Sequence, residues 1–210
     1  IKADLLSEKV LALLETVPKG RFQFEIGVQT TNIATLTAIG RKDDWTSLAS
    51  NVRKILSFSN IHVHLDLIAG LPFEDMNSLK KSFNDVYSLQ PQMLQLGFLK
   101  ILKGSKISQQ CTEYGIVYMN EAPYEVLQTK YITYKDMRFL KIFEDVFEHT
   151  YNTGKFSHAL DYIIKNEYAG DAFSFYSELS LWWCKNNLYP EGHNVRNVAL
   201  LLKRFFEEAF

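Results

Sequence analysis

The chain has 210 residues, a formal net charge of -1, and 47% hydrophobic and 22% charged residues, the balance of an ordinary globular protein rather than a disordered one. No long basic run marks a nucleic-acid surface, and no apolar run reaches the ~20 residues of a membrane span. With no signal-peptide pattern either, a cytoplasmic protein without nucleic-acid or membrane partners is expected.

The first segment, Ile1 to Pro18, reads as a helix with Leu5, Leu6, Val10, Leu13 and Leu14 on one face, Ser7 as a candidate N-cap and Pro18-Lys-Gly20 closing it. Phe22 to Gln29 alternates as a strand: Phe22, Phe24, Ile26 and Val28 share one face, and Gln23, Glu25, Gly27 and Gln29 the other. Thr31 or Asn32 caps a short helix carrying Ile33, Leu36 and Ile39. Asp43 or Asp44 caps the next, which runs to about Phe58 with Leu48, Val52, Ile55 and Leu56 as its stripe. Ile61 to Ile68 is a second strand, apolar at Ile61, Val63, Leu65 and Leu67 and mostly polar at His62, His64, Asp66 and Ile68. Gly70-Leu71-Pro72 turns into a helix over Asn77 to Leu89, and Pro91 precedes a third strand, Met93 to Ile101, ended by Lys103-Gly104.

Strands separated by helices of this length imply parallel pairing with right-handed crossovers. One polar face per strand disfavours a sheet buried equally on both sides and favours the wall of a partial β/α barrel with a polar interior. After Gly104 the pattern is mixed, with Tyr114-Gly115 as a turn. From Thr133 onward it is helical: Phe139, Ile142, Phe143, Val146 and Phe147 follow the helical template, with further helices over Lys155–Asn166, Asp171–Asn186 and Asn194–Phe210. The fold class expected is therefore α/β, with residues 1–104 forming barrel wall and residues 105–210 an all-helical domain. The Trp182-Trp183 and Phe205-Phe206 pairs read as packing aromatics.

Gln29, Arg41 and Asp66 lie at or beyond strand carboxyl ends, where α/β proteins place ligands. Glutamine donates and accepts at once, arginine offers a fork that suits a carboxylate, and an aspartate at a strand end accepts from ribose hydroxyls. Taken singly, Gln29 and Asp66 read equally as caps or turn acceptors, and Arg41 as a surface cation. Glu25 and His64 share the polar face, as a barrel-interior ion pair and a hydrogen-bonded histidine, or as the acid and base of a hydrolase or isomerase. Lys100, after the third strand's Gly97-Phe-Leu, reads by itself as an exposed lysine. Cys111 and Cys184 stand 73 positions apart in no CxxC or CxxxCxxC pattern, so no metal or iron–sulfur site is encoded locally and two reduced thiols are expected.

The strings around the trio resemble a known superfamily. Glu25-Ile-Gly-Val-Gln29-Thr followed by Leu36-x-x-Ile39-Gly-Arg41 resembles the "GVQS…L…R" segment of radical S-adenosylmethionine (SAM) enzymes, with Thr30 where serine is usual. Asp66-Leu-Ile-Ala-Gly-Leu-Pro72 resembles their "DLI-GLP" strand and turn, as in the oxygen-independent coproporphyrinogen oxidase branch. Leu94 to Ser105, Tyr114 to Tyr118 and Ala122 to Leu127 look like B12-binding-type radical SAM proteins with a DUF4080 carboxyl-terminal domain.

That resemblance implies that Gln29, Arg41 and Asp66 bind SAM, with Lys100, Glu25 and His64 in or near the pocket. It implies an enzyme that makes a 5′-deoxyadenosyl radical to act on an unknown small-molecule substrate, with a [4Fe–4S] cluster and, in part of the family, cobalamin. The cluster and cobalamin segments would lie upstream in the same polypeptide, and a chain opening on Ile1 is expected to be a fragment, inactive alone. A non-catalytic binding module in which the barrel part only scaffolds the helical domain is the other class of reading.

Overall fold

The alternating segments become a parallel sheet of three strands in the order β1 (Gln23–Gln29), β2 (His62–Ala69), β3 (Met93–Phe98) in the computed structural model, which describes residues 1–190 and 192–209. The register sets Ile26 beside Leu65 and Leu65 beside Leu94, and on the next row Gly27 beside Asp66 and Asp66 beside Gln95. The two rows face opposite ways because side chains alternate along a strand. The crossover helices α3 (Trp45–Phe58) and α4 (Met76–Tyr87) both pack on β2, bringing Val52, Ile55, Leu79, Phe83 and Val86 to the core beside the fully buried Val63, Leu65 and Leu67. The opposite face carries His62, His64, Asp66 and Gln95, none of them buried. Among the described residues the sheet stays open and closes no barrel.

Helix starts follow side-chain chemistry. Asn32 caps α2 (Ile33–Ala38) by accepting from Ala34 N, and Asp44 caps α3 by accepting from Thr46 N and Ser47 N. Asp75 caps α4 through Ser78 N at 2.8 Å, a bond that holds its carboxyl below the ordinary value of 3.8. A depressed carboxylate stabilises above its unfolded pKa, and that stabilisation disappears as pH falls through the folded value. Asp75→Ala is therefore expected to lower the unfolding free energy by ~1 kcal/mol at neutral pH and by less in acid, read from denaturation midpoints at the two pH values.

The amino-terminal segment departs from its expected form. It is a 3₁₀ turn, Ala3–Leu5, and a separate helix α1 (Glu8–Glu15). Asn51 on α3 donates to the carbonyls of both Ala3 and Leu6, which anchors the turn on α3 and breaks the helix. Ser7 stands at the cap position without a side-chain capping bond. The buried face is Ala3, Leu11 and Leu14, whereas Leu5, Val10 and Leu13 are exposed.

β3 stops at Phe98, short of Ile101. The chain beyond it still pairs: Val126 N–H donates to the Leu99 carbonyl and Ile101 N–H to that of Tyr124. After a helical turn, α5 (Cys111–Tyr114), comes an antiparallel pair absent from the expected pattern, β4 (Val117–Tyr118) with β5 (Val126–Gln128). Gly70 closes β2 at a φ of 89°, and a Cβ there would stand 3.2 Å from Met137 Cε and 3.4 Å from Val126 Cγ1. Glycine thus meets both a positive φ and a close approach.

Two compact units divide the chain, Ile1–Met137 and Arg138–Phe210. The second contains most of α6 (Tyr134–Thr150), with α7 (Ser157–Glu167), α8 (Ala172–Lys185) and α9 (Val195–Ala209). The expected last residue of α9, Phe210, lies outside the described residues. The core of this unit is aromatic: Phe143 stacks on Phe173 at 4.8 Å and Phe147 meets Tyr176 edge-on at 4.7 Å. Trp183 and Phe205 are buried. Trp182 lies further out, its Nε1 donating to Glu208 and Arg204 over its ring.

Candidate functional site at the strand carboxyl ends

β1 does not end regularly. Gly27 pairs with Asp66, but Gln29 pairs with Leu67, so Val28 is an extra residue and the strand bulges. Gln29 itself has a φ of 68°, a left-handed backbone uncommon for a residue with a side chain. Bulges of this kind re-aim a side chain, and such strain persists where the surroundings enforce it. Here the turn sends the Gln29 amide back over Gly27: a Cβ on Gly27 would lie 2.2 Å from Gln29 Nε2. Glycine at this position is what leaves room for that side chain.

Arg41 arrives at the same place. α2 ends in Ile39-Gly40, and the Arg41 N–H closes the turn onto the Leu36 carbonyl at 2.8 Å. Its Nη2 donates to the Gly27 carbonyl at 2.7 Å and its Nε to Asp43, so Nη1 is the edge it presents beside Gln29. Asp43 also faces Lys2 Nζ at 2.8 Å. Burial would raise the Asp43 carboxyl, but the hydrogen bonds from Lys2 and Arg41 outweigh it and hold the group below its ordinary value. The guanidinium is therefore held by a partner whose ionised form the site favours. Gln29 Oε1 is buried and has no hydrogen-bond partner among the described residues. A buried acceptor left unmatched is destabilising by itself, and a ligand donor would satisfy it.

Two adjoining cavities of about 430 Å³ each run along this edge. One holds Gln29 and Arg41 over an apolar wall of Ile39, Ile68, Leu71 and Leu99. The other holds Gln29, Asp66, Gln95 and Lys100. Gln29, Ile68 and Leu99 border both, so Arg41 and Asp66 do not share a cavity but flank one glutamine. Burial pushes the Asp66 carboxyl above its ordinary value, with nearby Glu25 adding to the rise and His64 opposing it. His64 Nε2 lies 3.2 Å from Asp66 Oδ1, without the geometry of a hydrogen bond. Glu25 pairs across the register with His64 but is exposed, and its backbone carbonyl accepts from the Ile1 amine at 2.6 Å. Lys100 is exposed and bridges to Glu125 through its backbone.

Three residues of this region escaped the sequence reading. Lys106 and Gln110 line the first cavity from the segment after Gly104, where no periodicity points. Glu74 is buried directly behind Thr30, and its only sequence signal is a place beside the capping Asp75. The arrangement suits a ligand with an anionic group for Arg41, donors for Gln29 and Asp66, and an apolar body along Ile39, Ile68, Leu71 and Leu99. No group of three or more His, Cys, Asp or Glu able to hold a metal occurs among the described residues, and none of the described helices is long and apolar enough to cross a membrane.

Residues 112–210 match the family model described as a protein of unknown function, DUF4080. The match starts inside α5, within the first compact unit, and runs through the second. The uncharacterized protein YtqA of Bacillus subtilis (strain 168) is 25% identical over 124 residues, which are 59% of this chain and 38% of that protein. The chain thus matches little more than a third of that relative's length.

Proposed function

We propose that this chain is the carboxyl-terminal part of a radical SAM enzyme and that the strand-end site is one wall of its SAM pocket. The observation that carries the reading is the Gln29 side chain, folded by a left-handed bulge over Gly27 beside Arg41, with a buried oxygen that no described residue satisfies. The three-stranded sheet is then part of a β/α barrel whose polar face points inward. Gln29, Arg41 and Asp66, which come from the two strings that resemble radical SAM segments, line the two adjoining cavities of this edge, and that supports the reading.

The donor set fits SAM. Arg41 takes the carboxylate, Asp66 accepts from the ribose hydroxyls, Gln29 Oε1 accepts from an N–H, and Ile39, Ile68, Leu71 and Leu99 offer an apolar seat for the base. Bound here, and cleaved at its C5′–S bond to methionine by one electron from the parent's cluster, SAM would supply a 5′-deoxyadenosyl radical able to take a hydrogen atom from substrate. This chain's own part is to orient SAM and to keep water from the apolar wall. The cluster does not fit here: Cys111 has its thiol raised by burial and its Sγ on the Ile107 carbonyl, and Cys184 belongs to the other compact unit. Cobalamin, where the parent uses it, would be held by an upstream domain, as the resemblance implies. Both groups belong, in this reading, to other segments of the parent polypeptide.

Anaerobic reconstitution of the full-length parent with iron and sulfide is expected to give cluster absorbance, SAM binding, and 5′-deoxyadenosine when a reductant is added. The 210-residue chain is expected to give none of that product. A reconstituted parent that fails to bind SAM would sink the proposal. Turnover of a hydrolase or isomerase substrate by the isolated chain would instead favour Glu25 and His64 as acid and base.

A further inference from the structure

Glu74 follows the Gly70-Leu71-Pro72 turn and is only 1% exposed. Its Oε1 accepts from the Thr30 hydroxyl at 2.6 Å and the Ser82 hydroxyl at 3.2 Å, while its Oε2 is buried without a partner among the described residues. Ser82 Oγ also accepts from the Thr31 N–H at 3.0 Å, and Thr30 Oγ1 from the Asn32 N–H at 2.9 Å. Asn32 in turn caps α2 and donates through Nδ2 to the carbonyl of Phe73, the residue before Glu74. One hydrogen-bonded knot, buried at Thr30, Glu74 and Ser82, thus joins the end of β1, the start of α2, the loop after β2 and the middle of α4. It begins at the residue after the left-handed Gln29, and α2, whose start it fixes, leads into Arg41.

We propose that Glu74 is a positioning residue of the strand-end site, setting Gln29 through Thr30 and Arg41 through Asn32 and α2, and loosening both when it ionises. Two effects oppose each other: ionised, the carboxyl strengthens the Thr30 and Ser82 bonds on Oε1 but is a buried anion whose Oε2 meets no partner among the described residues; neutral, it carries no charge penalty, and burial is the larger effect. Burial raises it to about 7, with Asp75 adding to the rise and the Thr30 and Ser82 hydroxyls pulling it down. The charged groups around it are Asp75 on its own loop and, on α4, Asp85 with Lys81 at 2.6 Å. Asp85 also accepts from Thr31 at 2.6 Å. Because its folded pKa lies above the ordinary 4.5, the stabilisation it gives is complete below that value and fades as pH rises through about 7.

The first test needs no ligand. In amide proton–nitrogen spectra of the chain, the backbone signals of Gln29, Thr31 and Asn32 and the Gln29 side-chain amide are expected to shift with an inflection near neutral pH, and Glu74→Gln is expected to abolish it. Flat signals in the wild type overturn the proposal. So does an inflection that survives in Glu74→Gln, which would belong to another group. Should Glu74→Gln not fold, Ser82→Ala removes one of the hydroxyls that pull Glu74 down and is expected to move the inflection upward; an unmoved inflection counts against Glu74. The second test rests on the SAM reading: SAM affinity of the reconstituted parent is expected to fall ~10-fold between about pH 6 and about pH 8, and by much less in Glu74→Gln. A pH-independent affinity in a parent that does bind SAM overturns the gating. A parent that binds no SAM overturns the function reading and leaves the spectra to decide Glu74.

Discussion

Leu65→Ala is expected to lower the unfolding free energy of the first unit by about 2–5 kcal/mol. Leu65 is 0% exposed at the centre of the middle strand, flanked in register by Ile26 and Leu94, which are themselves buried. The truncation removes three heavy atoms from a layer closed beneath by α3 and α4, and a sheet held by hydrogen bonds on both sides has little freedom to collapse into the space. The denaturation midpoint should fall, with the slope against denaturant unchanged. Trp45 is the one tryptophan in this unit, since Trp182 and Trp183 lie in the other, so its fluorescence in a variant lacking that pair isolates the transition. A shift below ~1 kcal/mol would mean that the layer relaxes freely and that the sheet is not the rigid base on which the site depends.

Much of that base was legible in sequence. Val63, Leu65 and Leu67 against His62, His64 and Asp66 is a period of two that only a half-buried strand satisfies, and the structure puts those two sets on opposite faces. Both caps were legible to within one residue, as Thr31 or Asn32 and as Asp43 or Asp44, because a short polar side chain before an apolar stripe has an evident use; the structure picks Asn32 and Asp44. The amino-terminal turn was not, because what breaks it, Asn51, lies 48 residues from Ala3 and leaves no local trace. The strand-end position of Gln29 was readable, but its left-handed bulge was not: glutamine is not among the residues that announce a positive φ, and only the slip from Gly27–Asp66 to Gln29–Leu67 shows it. Glu74 and Asp75 are adjacent acids with opposite fates, one buried and raised, one capping and lowered. Nothing in their order tells which is which. Burial raises Glu74 against the pull of the Thr30 and Ser82 hydroxyls, which reach it from the end of β1 and from α4, while the Ser78 N–H lowers Asp75.

If the proposed SAM reading holds, Asp66→Ala weakens SAM binding by the reconstituted parent ~10–100-fold, the loss of hydrogen bonds from ribose hydroxyls to a charged acceptor. The companion variant Asp66→Asn separates a ligand role from a structural one, because the two roles predict opposite signs for stability. Burial holds the Asp66 carboxyl above its ordinary 3.8, Glu25 helps, and His64 opposes without offsetting them. For a carboxyl raised on folding, the favourable contribution is complete below the unfolded pKa and is lost as pH rises through the folded one. At neutral pH the ionised group is therefore a burden on the ligand-free protein, as residues kept for binding often are. Asp66→Asn should leave the ligand-free chain as stable as the wild type or more so near neutrality, and the advantage should shrink as pH falls and the wild-type carboxyl protonates. Binding should weaken in the same variant. If stability and affinity instead fall together, Asp66 is holding the fold through contacts of its own; if affinity is unchanged, the edge shared by Gln29 and Asp66 does not seat a ribose.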